Sequence, residues 1–167
     1  MKSVHPSSPS VQPGRHLEIL DEPPHDAQRD AEKTASPAVC TECGAVYSEG
    51  HWQWTSAPSH AMQIRCPACR RTAEGRAAAY VTISGQFAQD YTGQVEQMVR
   101  DVEHREKSAH PLRRVMAIEP QDGGLDVATT DVRLAHVICD ALMDAYDGKL
   151  NVDYDEGERV VRVKLLV

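Results

Sequence analysis

The sequence predicts an α+β protein in which a small cysteine-bounded ribbon precedes one domain of sheet and helix. Two observations predict it. Two CxxC pairs, CTEC and CPAC, enclose a short polar segment, and beyond them the apolar residues switch between a period of two and steps of three and four. At 167 residues the chain suits one modest domain plus a small appendage and has no room for two large ones.

In chain order, residues 1–37 hold six of the ten prolines, with Ser, Gln, Asp, Glu and His at most other positions. Such a stretch cannot bury enough apolar surface to order itself, so it reads as a disordered tail. Its one apolar cluster, HLEIL (His16 to Leu20), is either linker or a segment that anchors to a partner protein. Residues 38–77 follow as the ribbon. Their few apolar residues are too small a core to hold the unit together without a staple.

Residues 78–167 form the sheet-and-helix domain. From Tyr80 to Phe87 the residues alternate, which predicts a strand with Val81, Ile83, Gly85 and Phe87 on one side. Val95, Met98, Val99 and Val102 then recur at helical steps, and the polar EHREKS stretch and Pro111 stop that helix. Arg114 to Glu119 (RVMAIE) reads as a buried strand. The QDGG turn (Gln121 to Gly124) leads into a second strand of a hairpin, where Leu125, Val127 and Thr129 share a side. Leu134, Val137, Ile138, Ala141, Leu142 and Ala145 mark the clearest helix, with Thr130 or Asp131 to cap its start and Gly148 to end it. Leu150, Val152 and Tyr154 alternate, and after DEGE so do Val161, Val163 and Leu165, which predicts a closing hairpin. The order strand, helix, strand, strand, helix, strand is a ferredoxin-like split βαβ arrangement, with one further strand appended at the C-terminal end. Both helices would cover one face of the antiparallel sheet and leave the other for solvent, a partner or the ribbon.

Composition narrows the function. A net charge of −7 argues against a protein that coats nucleic acid through a general basic surface. No run of about 18 apolar residues is available to span a bilayer, and MKSVHPSSPSVQPG lacks the apolar stretch of a secretory signal, so the expected compartment is the cytoplasm. In a reducing compartment the two CxxC pairs favour metal ligation over disulfides.

Cys40 and Cys43 make one pair and Cys66 and Cys69 the other, and the segment from Gly44 to Arg65 is close to the spacing of about 15–20 residues that reads as zinc. Four thiolates complete a closed tetrahedral shell with no position for a substrate water, so the expected role is structural, with one Zn2+. Iron in a rubredoxin-like site is the alternative, because four thiolates also hold iron. A redox role for either pair is not expected, since neither is read here as opening a helix. Cys139, the odd cysteine, lies at the flank of an apolar stripe and is expected to be a partly buried, inert thiol.

Arg65, Arg70, Arg71 and Arg76 surround the second pair, opposed by Glu74, and the two tryptophans, Trp52 and Trp54, lie between the pairs. Arginine forks take phosphate and indoles stack on unpaired bases, so these six residues are candidate RNA contacts. The alternative is that the arginines neutralise the metal site and the tryptophans form its small core. An RRM-type RNA surface is not expected, because GLDVATTD carries no stacking aromatic. His104, His110 and His136 read as solvated, as does the acidic helix face of Asp140, Asp144 and Asp147. No nucleophile motif or phosphate loop accompanies them, so neither an enzyme nor a small-molecule substrate is expected.

The pattern CTECG, CPACRR, YVTISGQF and GLDVATTDVRLAHVICDAL, from Cys40 to about Leu165, resembles the ribosomal large-subunit export adaptor family NMD-three, and more closely its short bacterial relatives. The resemblance implies a zinc-bearing, non-enzymatic module that contacts ribosome or rRNA, with Cys40, Cys43, Cys66 and Cys69 at the metal-ligand positions. The larger members carry more cysteines in the zinc region and further domains for which this chain has no room, so nuclear export does not carry over.

Overall fold

The computed structural model describes residues 34–146, 149–155 and 160–167. Residues 1–33 with the HLEIL segment, Asp147, the expected helix end at Gly148 and residues 156–159 lie outside the described residues.

The chain is a mixed α+β structure with two sheets. The first is built from β1 (Ala38–Cys40), β2 (Val46–Ser48), β3 (His51–Gln53) and β4 (Met62–Ile64) in the order β3-β2-β1-β4. β1 runs antiparallel to β2 and parallel to β4. Helix α1 (Pro67–Glu74) follows and ends at Gly75, whose φ of 64° suits a left-handed helix terminator. Ala38, Ala45, Tyr47, Trp52 and Ala68 bury their side chains around Cys40, Cys66 and Cys69. Only Tyr47 and Trp52 among them are large, and their rings pack 5.6 Å apart.

The second sheet carries the main core. Its strands are β5 (Ala79–Ser84), β6 (Val115–Gln121), β7 (Gly124–Thr129), β8 (Lys149–Asp155) and β9 (Val160–Leu166), in the order β6-β7-β5-β9-β8. Alternation in β5 and β7 turns Val81, Ile83, Leu125, Val127 and Thr129 inward. Against them pack α3 (Thr92–Ala109), through Val95, Val99 and Val102, and α4 (Val132–Tyr146), through Leu134, Ala135, Ile138, Cys139 and Leu142. Asp131 rather than Thr130 caps α4, its Oδ1 accepting from the backbone N–H of Arg133 at 2.8 Å and of Leu134 at 3.1 Å.

Several expectations are corrected. The first strand stops at Ser84, because Gly85 turns the chain into a short helix, α2 (Gln86–Asp90), that contains Phe87. Gly85 has φ 116°, and a Cβ there would lie 2.1 Å from the carbonyl oxygen of Val167, so the turn depends on glycine. Helix α3 continues through EHREKS to Ala109. β6 is not a buried strand: it is the sheet edge, with Glu119, Pro120 and Gln121 exposed. The apolar stripe of α4 is rotated from the expected one, so that Ala135 and Cys139 are buried while Ala145 is exposed.

The extra C-terminal strand, whose place in the sheet the sequence left open, lies inside it. β8 forms the edge, and β9 returns inward to lie between β8 and β5, antiparallel to the first and parallel to the second. This insertion makes β9 an interior strand and takes Leu165 to 0% exposure. The alternation expected at Leu150, Val152, Tyr154, Val161 and Val163 lies outside the described side chains. On the face away from the helices, Arg162 and Lys164 are exposed, and the Arg162 guanidinium sits 4.9 Å from the centre of the Tyr80 ring.

Candidate metal centre

The four cysteines predicted from spacing come together. The Sγ atoms of Cys40, Cys43, Cys66 and Cys69 lie within 4.8 Å of one another, and those of Cys43 and Cys66 are 3.8 Å apart. A regular tetrahedron with metal–sulfur bonds of about 2.3 Å has edges of about 3.8 Å, so this spacing fits a four-coordinate ion.

Two kinds of turn aim the sulfurs. At the first pair the chain doubles back after β1: the Gly44 N–H donates to Cys40 O at 3.0 Å, and Gly44 adopts φ 78°. The second pair opens a helix, contrary to the expectation from sequence. Cys66 is the N-cap of α1, its Sγ accepting from the Cys69 N–H at 3.4 Å, and Pro67 occupies the first turn. CPAC followed by RRTAEG carries both marks of such a helix, a proline just inside its start and a glycine just past its end. The two turns are cross-linked by the Cys66 N–H, which donates to Cys40 Sγ at 3.3 Å.

Helix-opening thiols can be redox-active, so that possibility now rests on geometry. Cys66 Sγ lies beside Cys43 Sγ of the other pair, and all four sulfurs converge on one point instead of forming two separate dithiols. Such a donor set can hold a metal ion.

The electrostatics are uneven. Burial raises the Cys40 thiol, but backbone N–H donors from Cys66, Cys43 and Glu42 outweigh it and bring it down to about 6. Cys66 is pushed well above the usual thiol range by burial, and Cys69 is raised to about 11 for the same reason, against the pull of Arg114.

Arg114 was not foreseen as part of the site. Its Nη1 donates to Cys69 Sγ at 3.3 Å, reaching the cluster from the loop before β6. Burial would lower its pKa, but the neighbouring thiols Cys43, Cys66 and Cys69 hold the guanidinium protonated. The sequence signal was faint: two arginines, Arg113 and Arg114, stand immediately before an apolar strand, with no spacing rule that ties them to a cysteine.

Of the six candidate RNA contacts, one is withdrawn from the surface. Trp52 is buried in the ribbon's core, which withdraws its ring from stacking on a base. Trp54 is exposed, but its Nε1 donates to Lys107 O at 2.7 Å and fastens the ribbon to the end of α3. Arg65 pairs with Glu42 at 2.5 Å and Arg76 with Glu74 at 2.7 Å. Arg70 and Arg71 lie half-buried on α1. His104 and His110 are exposed, as are Asp140 and Asp144, whereas His136 is half-buried rather than fully solvated. Cys139 is more deeply buried than expected, at 1% exposure.

No protein-family model matches the chain, and no curated protein does. No helix among the described residues is long and apolar enough to cross a membrane.

Proposed function

We propose that this protein is a non-catalytic binding module whose ribbon is held by one structural Zn2+ on Cys40, Cys43, Cys66 and Cys69. The observation that supports it is the convergence of four thiols, whose sulfurs all lie within 4.8 Å of one another. Four protein ligands saturate zinc's usual coordination and leave no place for a reacting water, so the metal supplies folding free energy instead of chemistry. Zinc is preferred to iron because nothing in a closed, structural role calls for a redox metal. Colour separates the two, since a ferric tetrathiolate is red and the zinc form colourless.

The partner we propose is the large ribosomal subunit or its RNA, in the cytoplasm. Support comes from the motif resemblance and from Arg70 and Arg71 on α1 beside the metal ligands. Trp52, being buried, does not contribute to this reading, whereas Trp54 stays exposed. Sedimentation with ribosomal subunits at low and high salt tests it: salt-sensitive pelleting that weakens in Arg70→Ala with Arg71→Ala is expected, and protein that stays at the top of the gradient at low salt refutes it. A second reading, a protein-binding adaptor, is favoured by the sheet face that no helix among the described residues covers. There Arg162, Lys164 and Leu166 are exposed next to partly buried Tyr80, Thr82 and Asp126, a mixed surface better suited to a polypeptide than to a polyanion. Recovery of a partner that is insensitive to nuclease and to the Arg70/Arg71 substitutions would select it.

A further inference from the structure

We infer that Arg114 is a positioning residue of the metal centre: it supplies, from the sheet-and-helix domain, the counter-charge of the loaded thiolate shell, and so couples metal binding to docking of the ribbon. This rests on the metal reading above. The charge balance requires a cation. Four thiolates around a divalent ion leave the centre at −2, and two of the arginines that flank the ligands in sequence are engaged elsewhere, Arg65 with Glu42 and Arg76 with Glu74, at largely exposed positions.

Arg114 differs from them in being held in place. Its Nε donates to Pro111 O at 2.8 Å and its backbone N–H to Thr130 Oγ1 at 2.9 Å, while the Thr130 N–H returns to Arg114 O at 2.9 Å. Thr130 Oγ1 also donates to Leu112 O at 2.6 Å, and Arg113 pairs with Glu106 at 2.5 Å. The loop from Pro111 to Arg114 is therefore pinned to the starts of α4 and β6 and to the last turns of α3 by contacts that involve none of the four cysteines. One guanidinium N–H reaches Cys69 Sγ, and Nη2 is buried with no hydrogen-bond partner among the described residues. Neutral thiols are poor acceptors for such a group; a thiolate shell is a strong one.

This loop and the helix before it make further ribbon contacts. Leu112 packs against the ribbon's core cluster, and Trp54 Nε1 donates to Lys107 O in the last turn of α3. Metal loading strengthens the Arg114 contact, and by reciprocity docking tightens metal binding by the same factor. Arg114 thus acts as a clasp whose closure reports occupancy of the site.

The test uses the full chain with Arg114→Met and Arg114→Lys. Zinc affinity is read by competition with a chromophoric chelator, and hydrogen exchange of the Lys107–Arg114 segment is followed with and without zinc. The expected result is that zinc slows exchange there in the parent protein. R114M should lose about ten- to a hundredfold in zinc affinity, the range for removal of a group that supports metal ligands, and lose the zinc-dependent protection. R114K, which keeps the charge and loses the fork, should fall between. R114M within twofold of the parent, with protection intact, overturns the coupling and leaves the metal site standing. If the parent takes up no zinc, the metal reading falls and the inference with it. If R114M does not fold, R114K decides, and an affinity equal to the parent's overturns the proposal.

Discussion

Replacing Cys66 by serine removes one thiolate ligand but keeps the backbone N–H that donates to Cys40 Sγ and a side chain able to cap α1, so the substitution tests ligation itself. The size of the effect follows from what else holds the ribbon. Val46, Tyr47 and Trp52 are its large buried side chains, and such burial contributes about 1.5–3 kcal/mol each. Ligation in comparable small zinc units contributes about 10–16 kcal/mol near neutral pH. The second quantity exceeds the summed first, so apolar packing alone cannot keep the ribbon ordered once ligation fails. Tryptophan emission reads this directly, because both tryptophans of the chain lie in the ribbon and Trp52 is only 7% exposed. C66S, or chelation of the parent protein, should shift emission to the red of a solvated indole. The far-UV helical signal should persist, because α3 and α4 pack on a separate core that includes Ile83, Leu125, Leu134, Ile138 and Leu142. Emission that stays blue in C66S, with metal absent by elemental analysis, would refute this account of the ribbon.

Metal affinity should rise with pH. Burial holds Cys66 above the ordinary thiol range and Cys69 at about 11, so in the metal-free protein both keep their protons at neutral pH and must release them on ligation. Each released proton steepens the dependence by about tenfold per pH unit, and a zinc affinity that is flat between pH 6.5 and 8 would contradict it. Cys139 should be inert. Burial, with Asp140 nearby, pushes its thiol up to about 12, so alkylation at pH 8 should be about a thousandfold slower than for a free cysteine, and unfolding should remove the difference. Leu142→Ala should destabilise the sheet-and-helix domain by about 2–5 kcal/mol, since the side chain is fully buried. Ala145→Ser, exposed at the end of the same helix, should stay within about 0.5 kcal/mol, and chemical denaturation followed by far-UV signal distinguishes the two.

The sequence by itself determined the local elements and the ligand set. CxxC spacing is covalent geometry, so Cys40, Cys43, Cys66 and Cys69 could be named without a fold, and their convergence follows. The period of two in Val81 and Ile83, and again in Leu125, Val127 and Thr129, and the helical steps of Val95, Val99 and Val102, were legible because a strand or helix repeats its facing over a few residues. Boundaries were less legible where one residue altered the backbone: Gly85 ends β5 early because of its positive φ and the approach of Val167, a residue far along the chain.

Tertiary structure alone decided the rest. Whether RVMAIE is buried depends on its place at the sheet edge, and whether the last strand lies outside or inside depends on β9 pairing with β5, contacts between distant segments that leave no local period. Trp52 and Trp54 looked alike in sequence, yet one is core and the other a fastening to Lys107, because burial is set by what packs from elsewhere. Arg114 is the sharpest instance. It lies 45 residues from Cys69 in the chain, and only the folding of one unit against the other brings its guanidinium to the thiol.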